Sequence, residues 1–172
     1  MAINQGEYLI NELEKGRNLS IALISHNAYW PQVDKYRRYY DNCKVQVFGG
    51  GTAYVRMAKN DKNRRLEDND LIIYYGGDIY SESEIEYLMN VASKISSDKN
   101  KRVTIGYSYF MPKKDGKEGM DYEVEIMSVK DGEIVTEKID KPRYFDAFYL
   151  TELTLREHDN YEIEKNKKLE KK

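Results

Sequence analysis

The sequence predicts an α/β fold built on a mixed sheet, and three observations carry that prediction. Strand-like runs start at Leu19, Lys44, Asp70 and Val103, at intervals of 25, 26 and 33 residues. That is the cadence of strand–helix–strand units, which give parallel strands with helices packed on the sheet. The intervals are long enough for crossovers, which need about a dozen residues or more. Asp131-Gly132 then lies between two β-rich runs, a two-residue hairpin signal and hence an antiparallel addition. The expected architecture is a parallel βαβ part over about 19–109 followed by an antiparallel hairpin extension, with α+β as the runner-up class.

The elements follow in order. Met1 to Glu14 reads as a helix with Tyr8, Leu9, Ile10 and Leu13 on its apolar side and Gly16 as its stop. Leu19–Ile24 (LSIALI) is a continuous apolar run, as expected of a strand buried on both faces. Pro31 suits a first helical turn, Trp30, Val33, Tyr36 and Tyr40 recur at near-helical spacing, and Asn42 closes that helix. Lys44–Phe48 (KVQVF) is the second strand and runs into three glycines. Thr52 to Met57 fits two periods. As a helix capped by Thr52 it belongs to a crossover ending at Asn69, the reading preferred here; as a strand it makes the glycines a hairpin loop.

Asp70–Tyr75 (DLIIYY) is the clearest strand. Ser81 and Glu84 form a capping box ahead of a helix whose apolar side is Ile85, Leu88, Met89, Ala92 and Ile95. Val103–Tyr109 alternates, with Thr104, Gly106 and Ser108 on its second side. Phe145 to Leu155 reads as the last strand, and Glu123 and Glu125 as the solvent face of an earlier one. The domain is drawn as 1–156, leaving 157–172 as a charged tail without an apolar face, expected to be frayed or disordered.

Composition narrows the class. In 172 residues, 40% are hydrophobic, 34% charged and only three are proline, which excludes a collagenous chain and argues against wholesale disorder. No apolar run approaches the roughly 18 residues of a membrane span, and the first residues are polar and acidic rather than signal-like. A lone cysteine, Cys43, sets up no disulfide framework. These features predict a cytoplasmic protein that does not enter membranes. The net charge of −2 hides a division: Lys35–Arg65 holds nine basic and two acidic residues, Leu66–Asp98 one basic and eight acidic. Two solvated faces that attract one another explain this, and so does a basic face for phosphates or an acidic partner.

In a parallel sheet, ligands bind beyond the carboxyl ends of the strands. Three of the four strand ends carry residues suited to that role: Ser25-His26-Asn27, Gly49-Gly50-Gly51-Thr52 and Gly76-Gly77-Asp78. The glycines let a phosphate approach backbone N–H groups, with Thr52 adding a hydroxyl. The segment is neither a P-loop, since no Gly-Lys-Ser/Thr follows, nor a G-x-G-x-x-G fingerprint, and plain turns use the same residues. His26 has the pKa range of a general acid or base, and Asp78 could orient it; a loop hydrogen bond and a helix cap are their ordinary structural uses. No second histidine stands at ligand spacing, and His158 borders the tail, so no zinc site is expected. Cys43 precedes a strand, where a buried structural thiol is the common outcome.

Two functions from different classes fit these residues. The first is a ligand site at the carboxyl edge, taking a nucleotide or other phosphate-bearing molecule and hydrolysing it, with His26 and Asp78 as catalytic candidates. Asn27, Gly49, Gly50, Gly51, Thr52, Gly76 and Gly77 are its binding candidates. The alternative is a non-enzymatic interaction or inhibitor protein, of the kind mobile elements carry. It would hold a protein or nucleic acid through a basic, Tyr-rich surface of Lys35, Arg37, Arg38, Lys59, Lys62, Arg64 and Arg65, where cations meet phosphates and tyrosines stack on bases.

Overall fold

The computed structural model describes residues 7–15, 17, 19–25, 44–49, 66–75, 82–113, 116, 118–140 and 147–170. They form helix α1 (Glu7–Glu14), strands β1 (Ser20–Ser25) and β2 (Lys44–Gly49), a 3-10 turn (Leu66–Asp68), β3 (Leu71–Tyr75), α2 (Glu82–Ser96), β4 (Val103–Pro112), β5 (Met120–Lys130), β6 (Glu133–Ile139) and α3 (Ala147–Glu170). The six strands make one sheet in the order β2-β1-β3-β4-β5-β6. β1 pairs in parallel with β2 and β3, and β3 with β4; β5 and β6 add on antiparallel. This is the mixed α/β sheet that the strand spacing predicts. The Asp131-Gly132 turn between β5 and β6 has both residues at positive φ, 53° and 79°, as a two-residue turn matched to strand twist requires.

Alternation along the strands sends side chains to two faces, and each face has its own core. One side gathers Ala22, Ile72, Tyr74, Val103, Ile105, Tyr107, Met127 and Val129 beneath Leu88, Ala92 and Ile95 of α2. The other gathers Leu19, Ile21, Leu23, Leu71, Ile73 and Val124 beneath Leu9 and Leu13 of α1 and Phe148, Leu150 and Leu155 of α3. Helices on both faces explain why β1 is apolar from Ile21 to Ile24 and β3 along its length. On α2 the expected stripe holds at Leu88, Ala92 and Ile95, but Met89 is 39% exposed and lies outside the packed side. The Ser81 cap, the helix expected around Pro31 to Asn42 and the Thr52–Met57 segment lie outside the described residues.

Three expectations are corrected. The residues expected to form a final strand, Phe145 to Leu155, instead lead into α3, which begins at Ala147 and continues to Glu170. Aromatic and Thr-rich sequence favours strands, but tertiary packing overrides that propensity. The residues of α3 that become buried include Thr151, Glu152, Thr154 and His158, so its packed face is as polar as it is apolar and leaves no clean apolar period. This face meets the second side of β4, where Thr104 and Ser108 are buried too. Between them stands Gly106, where a Cβ would meet Thr154 Oγ1 at 1.8 Å. Glycine is what lets the helix seat so close to the strand.

His158, expected at the edge of the tail, is 7% exposed. Its Nδ1 lies 2.8 Å from Thr104 Oγ1. Glu123 and Glu125 are not a solvent face either. Glu123 is buried and pairs with Lys138 at 3.3 Å, and Glu125 accepts a hydrogen bond from the buried Tyr107 hydroxyl across the β4–β5 ladder. Among the described residues no helix is long and apolar enough to cross a membrane.

Candidate functional site at the carboxyl edge

One row of Cα partners crosses all six strands: Gly49, Ser25, Tyr75, Ser108, Val124 and Ile139. β1, β2, β3 and β6 have that residue at the row as an end, and only β4 and β5 continue past it. The carboxyl ends of β2, β1 and β3 are therefore level neighbours. Strand order also reverses here. From β1 the chain moves outward to β2 on one side, and from β3 it moves to β4 on the other. In open α/β sheets a reversal of this kind marks the place where ligands bind, and here it falls between β1 and β3.

Of the residues singled out in the sequence, Gly49 is described, as the last residue of β2 and the Cα partner of Ser25. His26, Gly50 and Gly76 are the next residues in sequence after Ser25, Gly49 and Tyr75, the three level ends. These three, with Asn27, Gly51, Thr52, Gly77 and Asp78, lie outside the described residues. So do Cys43 and the basic set Lys35, Arg37, Arg38, Lys59, Lys62, Arg64 and Arg65. Beneath the edge, the preceding row pairs Ile24, Tyr74, Tyr107, Glu125 and Lys138. It places the Tyr107–Glu125 hydrogen bond one residue below the strand ends, on the α2 side of the sheet. Sequence reasoning missed that pair. Alternation in β5 marked Glu125 only as polar, with nothing to tell a covered position from a solvated one.

Polar side chains also gather at the amino edge, and their chemistry differs. Asp70 Oδ2 accepts from the Ser20 N–H and hydroxyl, both at 2.9 Å, and the Thr104 N–H donates to the Asp70 carbonyl at 3.0 Å, tying the starts of β1, β3 and β4 together. Arg17 grips Asp159 of α3 with two parallel bonds of 2.8 and 2.9 Å, and the Tyr8 hydroxyl adds a third at 2.6 Å. Glu152, 1% exposed, accepts the Leu9 N–H in the first turn of α1 at 3.2 Å, so one helix supplies the N-terminal cap of another.

Titration follows from these contacts. Burial, reinforced by the charge of Arg102, lowers the His158 pKa to about 4, with Asp70 and Asp159 pulling the other way. The imidazole is thus neutral at pH 7. Burial alone would raise the Asp159 carboxyl, but the hydrogen bonds from Arg17 and Tyr8 and the Arg17 charge outweigh it and leave the pKa below its ordinary value. The Tyr8 hydroxyl is raised by burial and by its bond to Asp159, and the Arg17 guanidinium is raised chiefly by its bond to the same carboxylate. These groups bond one another and act as pins. Among the described residues no three His, Cys, Asp or Glu side chains come together as a metal site.

Fold and edge together define a mixed α/β domain wound on both faces, with a topological switch between β1 and β3. Compared with known protein families and with curated proteins, the chain matches none.

Proposed function

We propose that the chain binds a nucleotide or another phosphate-bearing molecule at the carboxyl edge, between β1 and β3, and hydrolyses it there. The observation that supports this reading is the level row Gly49–Ser25–Tyr75 at a reversal of strand order. It brings the points where the chain enters His26, Gly50 and Gly76 onto one edge of the sheet. Glycines following two of those ends let backbone N–H groups approach phosphate oxygens. In hydrolysis His26 takes a proton from the attacking water as the new O–P bond forms. It then gives a proton to the leaving oxygen as the old P–O bond breaks, while Asp78 orients the imidazole.

Native mass spectrometry of the purified chain tests the binding step, and His26→Gln tests the chemistry. The expected results are a retained phosphate-bearing ligand and a variant that keeps its stability while losing phosphate release. Recovery of a macromolecular partner with no small ligand would replace this reading with that of an interaction protein. A variant that keeps full stability and full activity would end the role of His26.

A further inference from the structure

Among the described residues β6 ends one side of the sheet, with β5 on its inner side and no strand on its outer side. A strand placed this way offers a line of peptide donors and acceptors to another chain. Which groups it offers follows from the hairpin. Lys130 and Glu133 flank the two-residue Asp131-Gly132 turn, and the residues flanking such a turn exchange hydrogen bonds. Antiparallel pairing then alternates, so Glu133, Val135, Glu137 and Ile139 bond to β5. The N–H and C=O groups of Ile134, Thr136 and Lys138 point the other way, along the outer edge.

The side chains of β6 leave this edge accessible. Glu133 and every residue from Val135 to Lys138 are exposed. Val135, at 52%, is with Met89 one of the two large apolar residues exposed among the described ones. The order of charges along the strand suits a second copy of itself. An outward-facing residue must oppose an outward-facing residue, so a two-fold axis near the middle of β6 falls at Val135, Thr136 or Glu137 and not between them. An axis at Glu137 sets that carboxylate opposite the partner's Glu137, and one at Val135 sets Glu133 opposite the partner's Glu137. Like charges directly opposed disfavour both. With the axis at Thr136 no like charges meet: Thr136 faces the partner's Thr136, Ile134 the partner's Lys138 and Val135 the partner's Glu137. All seven residues then pair, and Val135 and the partner's Val135 become diagonal neighbours. Lys138 already lies 3.3 Å from Glu123, so its charge is answered within its own subunit.

From the open outer edge of β6 and the one register its charges allow, we infer that two copies of the chain pair antiparallel along β6 about a two-fold axis at Thr136, joining two six-stranded sheets into one. The seam is seven residues long, so the dimer forms and dissociates with concentration rather than being obligate. Sedimentation equilibrium of the full chain from about 10 µM to about 1 mM should show the mass rising from monomer towards dimer. Thr136→Pro removes an N–H that β5 does not use, so circular dichroism should show the fold kept while the dimer is lost. Val135→Glu sets a carboxylate opposite the partner's Glu137 and should weaken dimerisation at least about 5-fold. Adding Glu137→Lys turns that repulsion into attraction and should restore dimerisation to within about 3-fold of the unaltered chain. If Thr136→Pro does not fold, the loss and the rescue decide alone. A chain that is monomeric even at about 1 mM would overturn the inference and leave the edge to a strand of another protein. A dimer that Thr136→Pro and Val135→Glu both leave intact would overturn it by placing the contact elsewhere. Loss without rescue would overturn the register at Thr136, and the inference with it.

Discussion

At the amino edge of the sheet, polar side chains bond one another: Asp70 holds Ser20, His158 meets Thr104, and Arg17 and Tyr8 close on Asp159. At the carboxyl edge four strands stop on one row while β4 and β5 run on, and the residues suited to chemistry come just after the stops. Both edges involve groups that the sequence marks as functional: His158 lies at the first, and His26 follows Ser25 in sequence at the second. What separates them is direction. Groups at the strand starts are tied to α1 and α3 and hold those helices down, whereas the carboxyl ends of parallel strands are where this architecture delivers residues to a ligand. The buried, neutral His158 is therefore a pin, whereas His26, which follows the end of β1 in sequence, is the residue we propose to act on a ligand.

A substitution midway between the edges calibrates the scale. Leu88 is 1% exposed under the centre of α2, so Leu88→Ala should cost about 2–5 kcal/mol through lost burial and a cavity. Urea unfolding checks it, and a loss below about 1 kcal/mol would mean that α2 is not seated on the sheet as described. The amino edge should respond next, through pH. His158 has a folded pKa near 4 against an ordinary 6.5, so between those values the unfolded chain binds the proton and the folded one does not. Stability should then fall as pH drops from 6.5 to 4, by about 3 kcal/mol in all, and the contribution should stay lost below that. Asp159, lowered from 3.8, adds its own loss only at still lower pH. Urea midpoints for the unaltered chain and His158→Gln across that window give the test. The fall should vanish in the variant, and an equal fall in both would make His158 irrelevant to the pin.

Gly106→Ala sharpens the comparison from the side of packing. The new methyl meets Thr154 Oγ1, which already donates to the Leu150 carbonyl at 2.7 Å, so α3 must lift or Thr154 must give up that bond. A loss of about 1–3 kcal/mol is expected by thermal or urea melting. The smallest expected effect on stability belongs to the carboxyl edge. Under the proposed role, His26→Gln should change stability by less than about 0.5 kcal/mol, the usual range for a substitution that removes no core contact. A loss of several kcal/mol would make His26 a pin like His158 and erase the contrast between the two edges.

The strands were legible for a physical reason. A parallel strand buried on both faces must be apolar at consecutive positions, and LSIALI and DLIIYY announce themselves that way. Asp131-Gly132 was legible because few residue pairs accept positive φ twice in succession. Helix α3 was not legible, since Thr154 and His158 meet Gly106 and Thr104, and a polar seam between helix and sheet has no apolar period to detect. The burial of Glu123 and the Tyr107–Glu125 bond were hidden for a related reason, because alternation alone cannot tell a covered polar position from a solvated one. At the candidate site, the positions of strand ends were legible, and the row through Gly49, Ser25 and Tyr75 agrees with them. The extra length of β4 and β5 was not, because Phe110 and Pro112 interrupt the alternation of Tyr107, Tyr109 and Met111.

The contrast between the edges is tested most directly by a ¹⁵N–¹H titration of the full chain with AMP. Shifts should concentrate on the amides of Ser25, Gly49 and Tyr75, and those of Ser20, Thr104 and His158 should stay within error. Shifts centred on the amino edge, or none at millimolar AMP, would contradict the assignment of the carboxyl edge as the working end of the molecule.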